Sequence, residues 1–409
     1  MAGVLEGLRV VEGSAFVAVP LAGMTLAQMG AEVIRFDRIG GGLDARRWPV
    51  TAEGRSLFWA GLNKGKKSLA VNLSDPRGQE LVAELVCAPG EGGGCYMTNL
   101  GQRGLLSHAR LAERRADVIV VSLLGTREGG PAVDYTVNPS LGFPEATGPE
   151  GSPDPVAHVL PAWDCIAGGM VVNALLAAER HRLRTGAGQL VELSLKDVAA
   201  AMLGNLGIIG EVAVNGVDRP KYGNALYGAY GQDFLCADGR RVMVIGLTDR
   251  QWAGLVKATG TGDEMAALAA RLGVDLREEG ERFKARKEIT AILAPWFAAR
   301  RVEDFAAAFD AAGITWSEFR SFARAVAEDA DLDPEQNPMF AMLEQPGIGH
   351  YPVPASPMAF SVSGRPEPRP APRLGEHSEA ILADILRLPP AEIGRLMDAG
   401  VVAGPETGG

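Results

Sequence analysis

The sequence has few of the residues that mark disulfide-rich, metal-binding and membrane proteins. Of its 409 residues only five are histidine and four are cysteine, and Cys87, Cys95, Cys165 and Cys236 form no CxxC pair. This spacing argues against a zinc site and a disulfide framework and predicts free thiols. No run of about 18 uninterrupted apolar residues occurs, so no membrane-spanning segment is predicted.

Common phosphate-binding motifs and a basic surface are also missing. Residues 61–68 lack the glycine that precedes the lysine of a P-loop, and no GxGxxG follows the first predicted strand. Nucleoside triphosphates and NAD are therefore disfavoured as ligands. The formal net charge is −10, which argues against nucleic acid as a partner, because phosphate backbones require a strongly basic face.

The remaining composition is that of an enzyme with a large core. The chain is 47% hydrophobic and 22% charged, and its length allows two domains. Its 52 glycines are about twice the usual share, which predicts many close backbone approaches. The first residues contain no basic segment followed by an apolar core, so we expect a cytoplasmic protein.

The first half alternates apolar runs with helical patterns, which is typical of a parallel α/β sheet. Predicted strands cover 8–11, 32–36, 117–123 and 188–193, and predicted helices cover 20–29, 77–87 and 197–214. A further helix is predicted after residue 164. These elements together predict a large α/β domain.

The pattern changes around residues 218–224, which predicts a second domain. Short strands are predicted at 225–235 and 241–246, followed by helices to about residue 328, and a proline-rich stretch at 365–373 then leads to two more helices. We therefore divide the chain into the first part of a large domain (1–215), a small α+β domain (216–328) and a return to the large domain (329–409).

Asp164 is the most informative single residue, because it is a lone carboxylate before a helical segment with no wet face. Residues 166–178 are almost wholly apolar or small, so the helix is predicted to be buried, and a charge at its first turn needs a reason. One interpretation is a helix cap that accepts backbone N–H groups. The other is a nucleophile that attacks an activated acyl group. The neighbouring Cys165 has no histidine near it in the sequence and is interpreted as structural.

Two basic clusters stand out in this acidic chain. They are Arg38, Arg46 and Arg47 around the glycines 40–42, and Lys64, Lys66 and Lys67. Either cluster alone is typical of a solvated loop. Two clusters so close together favour a seat for a small polyphosphate ligand.

Several segments, in their order and spacing, resemble the class III CoA-transferases over essentially the whole chain. They are residues 5–12, 30–38, 63–76, 99–100, 164, 188–189, 249–252 and 372–377. The resemblance implies a Rossmann-like large domain formed by both chain ends, an inserted small α+β domain, and a homodimer of two interlocked chains. It also implies an acyl-CoA substrate and no metal or redox cofactor, since coenzyme A is part of the substrate.

The resemblance assigns the functional residues as well. It implies that Asp164 is the catalytic nucleophile, and that the CoA contacts are Phe16, Val17, Ala18, Arg38, Val71, Leu73, Asn99 and Leu100. We add Lys67 and Arg103 to the CoA contacts on charge alone.

Residues 133–139, 160–164 and 337–349 are most similar to family members that move CoA between carbon 1 and carbon 4 of mesaconyl-CoA (2-methylfumaryl-CoA) in the 3-hydroxypropionate CO2-fixation bicycle. The resemblance thus implies intramolecular CoA transfer. Many intermolecular members carry Gln at the position of Val17, Lys near Val133, and a run of glycines near 222–224. All three are absent here, which fits an enzyme without a second substrate.

Three alternatives remain open at this point. The first alternative to intramolecular transfer is an intermolecular acyl-CoA:carboxylate CoA-transferase. The second is an acyl-CoA racemase that pairs an aspartate with a histidine, and the third is a CoA-binding protein without catalysis. Of the five histidines only His158 is a candidate partner for a racemase. The intact Asp164 argues against a mere binding protein.

Overall fold

The structure is a computed structural model that describes residues 3–405. The strands are β1 Arg9–Gly13, β2 Glu32–Asp37, β3 Lys67–Val71, β4 Cys95–Thr98, β5 Ile119–Leu124, β6 Gln189–Ser194, β7 Tyr230–Leu235, β8 Arg241–Gly246, β9 Thr315–Glu318, β10 Phe340–Gln345, β11 Gly349–Pro354 and β12 Val402–Ala403. The helices are α1 Ala18–Gln28, α2 Leu57–Leu62, α3 Pro76–Cys87, α4 His108–Arg114, α5 Asp134–Ser140, α6 Phe143–Ala146, α7 Ala162–Thr185, α8 Leu195–Asn205, α9 Ile208–Asn215, α10 Asp249–Thr259, α11 Gly262–Leu272, α12 Glu279–Lys284, α13 Arg286–Ala298, α14 Ala306–Ala311, α15 Phe322–Glu328, α16 Ser378–Asp384 and α17 Pro390–Asp398.

The chain divides into two compact units. The first contains the residues up to Leu141, His158–Asn215 and the residues from Ala330 onwards, and the second contains Gly142–Ala157 and Gly216–Asp329. The predicted division assigns residues 142–157 to the large domain. In the structure they pack with the second unit instead, where Asp154 O accepts a hydrogen bond from Lys221 Nζ at 2.6 Å. Long-range packing of this kind leaves no local sequence signal.

A seven-stranded sheet organises the first unit, in the order β12-β3-β2-β1-β4-β5-β6. Strands β1 to β6 are mutually parallel and β12 is antiparallel to β3. Five of the six residues of β5 are buried, as expected for Val- and Ile-rich strands of a parallel sheet that is covered on both faces. The predicted α/β fold class is confirmed.

Helices cover both faces of this sheet. Side chains from α3, α4, α16 and α17 pack with alternate strand residues such as Val11, Phe36 and Val120 in one buried cluster. On the other face α1 and α7 pack against each other and against the sheet. The last strand, β12, pairs with β3, so the end of the described chain completes the sheet begun by its start.

Helix α7 is long and apolar enough to span a membrane by length and composition, and α8 with α9 passes the same test only as a pair bent by 59°. For α7 the apolar sequence is accounted for by packing, because Ala167, Val171, Leu175 and Ala178 are at most 1% exposed.

The sequence predicts one helix at 197–214, but the structure has two. The chain turns at Gly207, whose φ of 78° suits glycine and interrupts the helix.

The second unit has a three-stranded antiparallel sheet, β7-β8-β9, covered by helices. Its core contains a cluster of packed aromatic rings. Phe297, Phe305 and Phe309 are at most 2% exposed and pack with Trp296. A cavity of about 590 Å³ in this unit is lined by Tyr222–Asn224 among other residues.

Candidate active site

Most of the predicted site residues lie at the carboxyl edge of the large sheet. Strand β1 lies centrally, with β2 and β3 on one side and β4 and β5 on the other. The chain therefore leaves the sheet in opposite directions from β1 and β4, and such a switch point forms a crevice where α/β proteins bind ligands. The loops that end β1, β2, β3 and β4 carry Phe16, Arg38, Leu73 and Asn99 to this edge.

The side chain of Asn99 bridges the crevice to the loop after β1. Its Oδ1 accepts the Ala15 N–H at 2.9 Å and its Nδ2 donates to Ala15 O at 2.8 Å. The next residue, Phe16, has a φ of 68°, which a non-glycine residue adopts only when its surroundings impose it. Asn99 thus holds the loop that leads into Phe16, Val17 and Ala18.

A buried ionic network also holds Phe16. Asp44 Oδ2 accepts the Phe16 N–H at 3.1 Å, and Asp44 Oδ1 accepts from Arg35 Nη2 at 2.8 Å. Arg35 is 1% exposed and also pairs with Asp37 at 2.8 Å. Lys66 completes the network by pairing with Glu12 at 2.8 Å. The conformation of the β1 loop therefore depends on charges that come from several separate segments.

Helix α7 brings Asp164 to the first turn of α1. Gly168 lies four residues after Asp164 and hence on the same face of α7. A Cβ atom at Gly168 would lie 2.8 Å from Ala18 O, so glycine permits the two helices to approach closely at this point. Val17 and Ala18, both buried, therefore lie one helical turn from the candidate nucleophile.

The cap of α7 is a different aspartate, Asp134 at the start of α5. Its Oδ2 accepts the Trp163 N–H at 2.7 Å and the Asp164 N–H at 3.3 Å. Within residues 3–405 no hydrogen bond to the Asp164 carboxylate is found, and the structure gives α7 no cap from its own side chains. The capping interpretation of Asp164 is therefore wrong. Asp134 supplies that function, and Asp164 keeps a free carboxylate.

The surroundings of Asp164 make its carboxylate unusually basic. Burial and the negative charge of Asp134 raise the pKa of Asp164 to about 6, although the positive charge of Arg47 opposes them. Arg47 packs its guanidinium over the rings of Phe16 and Phe58, at 5.4 and 5.2 Å from their centroids. At neutral pH Asp164 is still mainly ionised, and a more basic carboxylate is a better nucleophile.

Cys165 does not compete for this role. Burial and the charges of Asp164 and Asp134 raise the pKa of its thiol. A thiol must ionise before it attacks, so burial and the charges of Asp164 and Asp134 keep Cys165 protonated.

The predicted CoA contacts divide into exposed and buried groups. Arg38, Leu100 and Arg103 are exposed on the loops after β2 and β4. Val71 is fully buried, and Leu73 packs partly against the core. Arg38 and Arg103 are therefore the exposed cations of this set, whereas the side chain of Val71 is 0% exposed and belongs to the core.

The lysine cluster is not a phosphate seat. Lys64 and Lys66 are 6% and 3% exposed, and burial lowers the pKa of Lys66 against the opposing charge of Glu12. Lys67 begins β3, at the amino end of the strand, where it pairs with Glu32 at 2.5 Å. The structure therefore does not bring Lys67 to the edge that carries Arg38, because a parallel strand separates its two ends.

The sequence analysis missed Asp134, Asp44 and Arg35, and considered His158 only as a racemase partner. His158 Nε2 lies 2.6 Å from Asp134 Oδ1. In the sequence Asp134, Asp44 and His158 look like solvated loop residues, and Arg35 looks like one residue of a predicted strand. One signal was available. Asp134 follows a predicted strand within a segment that already resembled the family.

Comparison with known proteins assigns this geometry to a family. The family model for CoA-transferase family III matches residues 5–378. The chain is 58% identical, over 99% of both chains, to a protein of Chloroflexus aurantiacus named 2-methylfumaryl-CoA isomerase. It is 27% identical to human succinyl-CoA:glutarate CoA-transferase over 98% of this chain and 91% of that protein.

A solved structure supports the fold. The crystal structure of a CAIB/BAIF family protein from Brucella suis matches with a TM-score of 0.75 and 26% identity, and the match covers 94% of this chain and 100% of that chain. The similarity therefore includes both compact units.

Proposed function

Because this chain belongs to CoA-transferase family III, we propose that it moves CoA within 2-methylfumaryl-CoA, from the carbon-1 to the carbon-4 carboxyl, and so forms 3-methylfumaryl-CoA. The observation that carries the proposal is the Asp164 carboxylate, which is partly buried, accepts no hydrogen bond within residues 3–405, and has its capping function taken over by Asp134. The high identity to the Chloroflexus aurantiacus isomerase supports the choice of substrate.

The first half of the reaction transfers CoA to the enzyme. The Asp164 carboxylate attacks the thioester carbonyl, which forms a mixed anhydride and expels CoA as the thiolate. The thiolate then attacks the Asp164 carbonyl. An aspartyl-CoA thioester forms and the carbon-1 carboxylate of 2-methylfumarate (mesaconate) is released within the site.

The second half returns CoA to the other end of the same acid. The carbon-4 carboxylate of mesaconate attacks the aspartyl-CoA thioester, which forms a second anhydride and frees the thiolate again. The thiolate attacks the mesaconyl carbonyl of that anhydride, giving the isomeric thioester and restoring the Asp164 carboxylate. No water, metal or redox cofactor takes part.

Each tetrahedral intermediate carries an oxyanion that needs donors. The N–H groups of Ala18 and Val19 have no partner within α1, because the first-turn N–H groups of a helix lack an i−4 carbonyl, and α1 meets α7 at Gly168. We assign them the oxyanion. Phe16 and Ala15 are not available, since their N–H groups are bonded to Asp44 and Asn99.

Coenzyme A itself is placed at the crevice between β1 and β4. Arg38 and Arg103 provide cations for its phosphates, and the segment from Phe16 to Ala18 with Asn99 and Leu100 forms the wall. Lys67 is left out of this set because it lies at the opposite end of β3.

A racemase is the weaker alternative. Its chemistry requires a histidine that exchanges a proton with the substrate, but His158 Nε2 is engaged with Asp134 at 2.6 Å. An intermolecular transferase is the stronger alternative, because it would use the same aspartyl intermediates with a free acid entering between the two halves of the reaction.

We further propose that the chain acts as a homodimer in the cytoplasm, as part of the 3-hydroxypropionate bicycle. Leu206, Ile209, Val212 and Val214, around the turn between α8 and α9, are each at least 50% exposed, and apolar surface of this kind is typical of an interface. The four cysteines are free thiols, which suits a reducing compartment.

Isotope exchange tests the function. Purified protein is incubated with 2-methylfumaryl-CoA and excess labelled free mesaconate, and the two thioester isomers are separated by chromatography. We expect conversion to 3-methylfumaryl-CoA with almost no label in either thioester. Label that enters at the rate of isomer formation would identify an intermolecular transferase. Absence of both products, with tight CoA binding, would identify a binding protein.

A further inference from the structure

Asp134 has three partners that converge on the nucleophile. It is 1% exposed, and its Oδ2 accepts the backbone N–H groups of Trp163 and Asp164 at 2.7 and 3.3 Å. Its Oδ1 lies 2.6 Å from Nε2 of His158, whose side chain is 25% exposed. The Trp163 indole N–H donates to Asn138 Oδ1 of the same helix, α5, at 3.0 Å. Helix α5 is thus tied to the first turn of α7 at two points.

We propose that Asp134 and His158 form a positioning pair that orients Asp164 and adjusts the charge around its carboxylate. The proposal rests on the function proposed above and adds residues that act through Asp164 without touching the substrate. Two contacts carry it. One Asp134 oxygen accepts the Asp164 N–H, and the other lies 2.6 Å from the His158 ring.

The pair acts electrostatically as well as sterically. A second carboxylate beside Asp164 disfavours its ionised state. When Asp164 attacks the thioester, its negative charge passes to the departing thiolate of CoA, and the anhydride left on Asp164 is neutral. The repulsion from Asp134 is therefore relieved on acylation. Asp134 consequently favours the covalent intermediates over the free carboxylate.

His158 modulates this repulsion. With a proton on its ring His158 is a cation and cancels the charge of Asp134, whereas neutral His158 leaves that charge uncompensated. The charge of the Asp134–His158 pair therefore bears on the reactivity of Asp164.

Other ionisable groups around α7 define the background. The charges that act on Asp164 are those of Asp134 and Arg47, with Cys165 adjacent in the chain. Tyr135 follows Asp134 in α5, and its ring contacts that of His158. Of the other elements packed on α7, β6 and α8 carry Glu192, Lys196 and Asp197, whereas α1 and β5 carry no ionisable side chain. Variants of Asp134 and His158 must be compared against this constant background.

The test is the pH dependence of isomerisation in two variants that change the charge in opposite directions. Asp134→Asn keeps an oxygen for the backbone N–H groups but removes the charge. We expect the acid limb of its kcat/KM profile to move to lower pH, with the ratio of the rate at pH 5 to the rate at pH 8 raised about threefold or more. We expect plateau kcat to fall roughly three- to tenfold, because the nucleophile becomes less basic.

His158→Gln keeps a polar partner for Asp134 but cannot carry a positive charge. We expect its acid limb to move to higher pH, with the same ratio lowered about twofold or more. Should Asp134→Asn fail to fold, His158→Gln still tests the proposal.

Two matched controls change residues away from the site. Glu80→Gln removes a carboxylate from an exposed ion pair with Arg114, and His350→Gln replaces an exposed histidine of β11. Both controls should leave the profile in place.

The outcomes separate the two proposals. Opposite shifts in the two variants support the pair. Lower turnover with an unmoved acid limb in both would overturn it and leave Asp134 as a simple cap. Wild-type protein that makes no isomer at any pH would overturn the proposed function instead, and in that case hydroxylamine trapping of an acyl group on Asp164 would show whether another acyl-CoA is the substrate.

Discussion

Two clusters of carboxylates lie near the carboxyl edge of the sheet, and they differ in how their charge is compensated. The first cluster has Glu12, Asp37 and Asp44, each at most 4% exposed. Arg35 pairs with Asp37 and Asp44, both at 2.8 Å, and Lys66 pairs with Glu12 at 2.8 Å. Every carboxylate in this cluster therefore has a cation in contact.

The second cluster has Asp134 and Asp164 at the first turn of α7. Asp134 accepts two backbone N–H groups and contacts His158, while among the described residues Arg47 is the charge that opposes the increase in the pKa of Asp164. The comparison shows how one residue type serves two purposes. The buried carboxylates that are paired with cations hold the loop around Phe16 in place, whereas Asp164, which has no cation in contact in the described part of the chain, becomes reactive.

The largest effect should come from removing the reactive carboxylate. Asp164→Asn keeps the shape of the side chain but cannot form an anhydride, so we expect kcat to fall by about 10³-fold or more. The measurement is isomer formation followed by chromatography, together with hydroxylamine trapping. CoA binding serves as the control and should be retained. Activity within tenfold of wild type would contradict covalent catalysis by Asp164.

Breaking the compensated cluster should instead damage the fold. Arg35→Met leaves Asp37 and Asp44 buried without their cation, and removing one partner of a buried pair costs about 3 to 5 kcal/mol. We expect a lower urea midpoint and loss of CoA binding as Phe16 is released. The control is Arg114→Met, from an exposed ion pair with Glu80. Equal midpoints for the two variants would show that the network adds no stability.

Asp164→Asn should stabilise the fold, in contrast to Arg35→Met. The pKa of Asp164 in the folded protein is about 6, above the ordinary 3.8, so the folded state binds this proton more tightly than the unfolded state. The ionised carboxylate therefore destabilises the fold at neutral pH, and the destabilisation is lost as the pH falls through 6 towards 4. Asparagine at position 164 should therefore raise the free energy of unfolding, measured by urea titration, by roughly 1 to 3 kcal/mol at pH 7.5 and by almost nothing at pH 4. A destabilised variant at pH 7.5 would indicate a structural role.

The smallest effects concern the two basic clusters. Arg38→Ala should raise KM for the acyl-CoA about tenfold with little change in kcat, because a phosphate contact stabilises ground and transition states equally. Lys67→Ala should change KM less than about twofold, since its exposed ion pair with Glu32 contributes little. An increase in KM for Lys67→Ala without one for Arg38→Ala would place the phosphates near the amino edge of the sheet.

Much of the fold could be predicted from local patterns. The runs that became β1, β2, β5 and β6 are apolar and bounded by turn residues, and the helical periodicity after residue 76 gave α3 nearly to the residue. Strands β3 and β4 were missed. β3 begins in a lysine-rich segment, where Lys66, just before the strand, is buried against Glu12, 54 residues earlier in the chain.

The candidate site was only partly predictable for the same reason. Asp164 stands out in the sequence because a charge beside an apolar helix is conspicuous by itself. Asp134 and Asp44 do not, because an aspartate in a loop is usually solvated, and only the neighbours brought by folding show that these two are buried.

The sequence by itself determined the family, the alternation of strands and helices, and the identity of the candidate nucleophile, because periodicity, spacing and an isolated charge are local properties of the chain. The tertiary structure decided which carboxylate caps α7, which lysines are buried, and which charges act on Asp164. Those outcomes depend on distances between residues such as Asp134 and Asp164, thirty positions apart. Coulomb interactions and desolvation depend on such distances and on burial, which residue order alone does not contain.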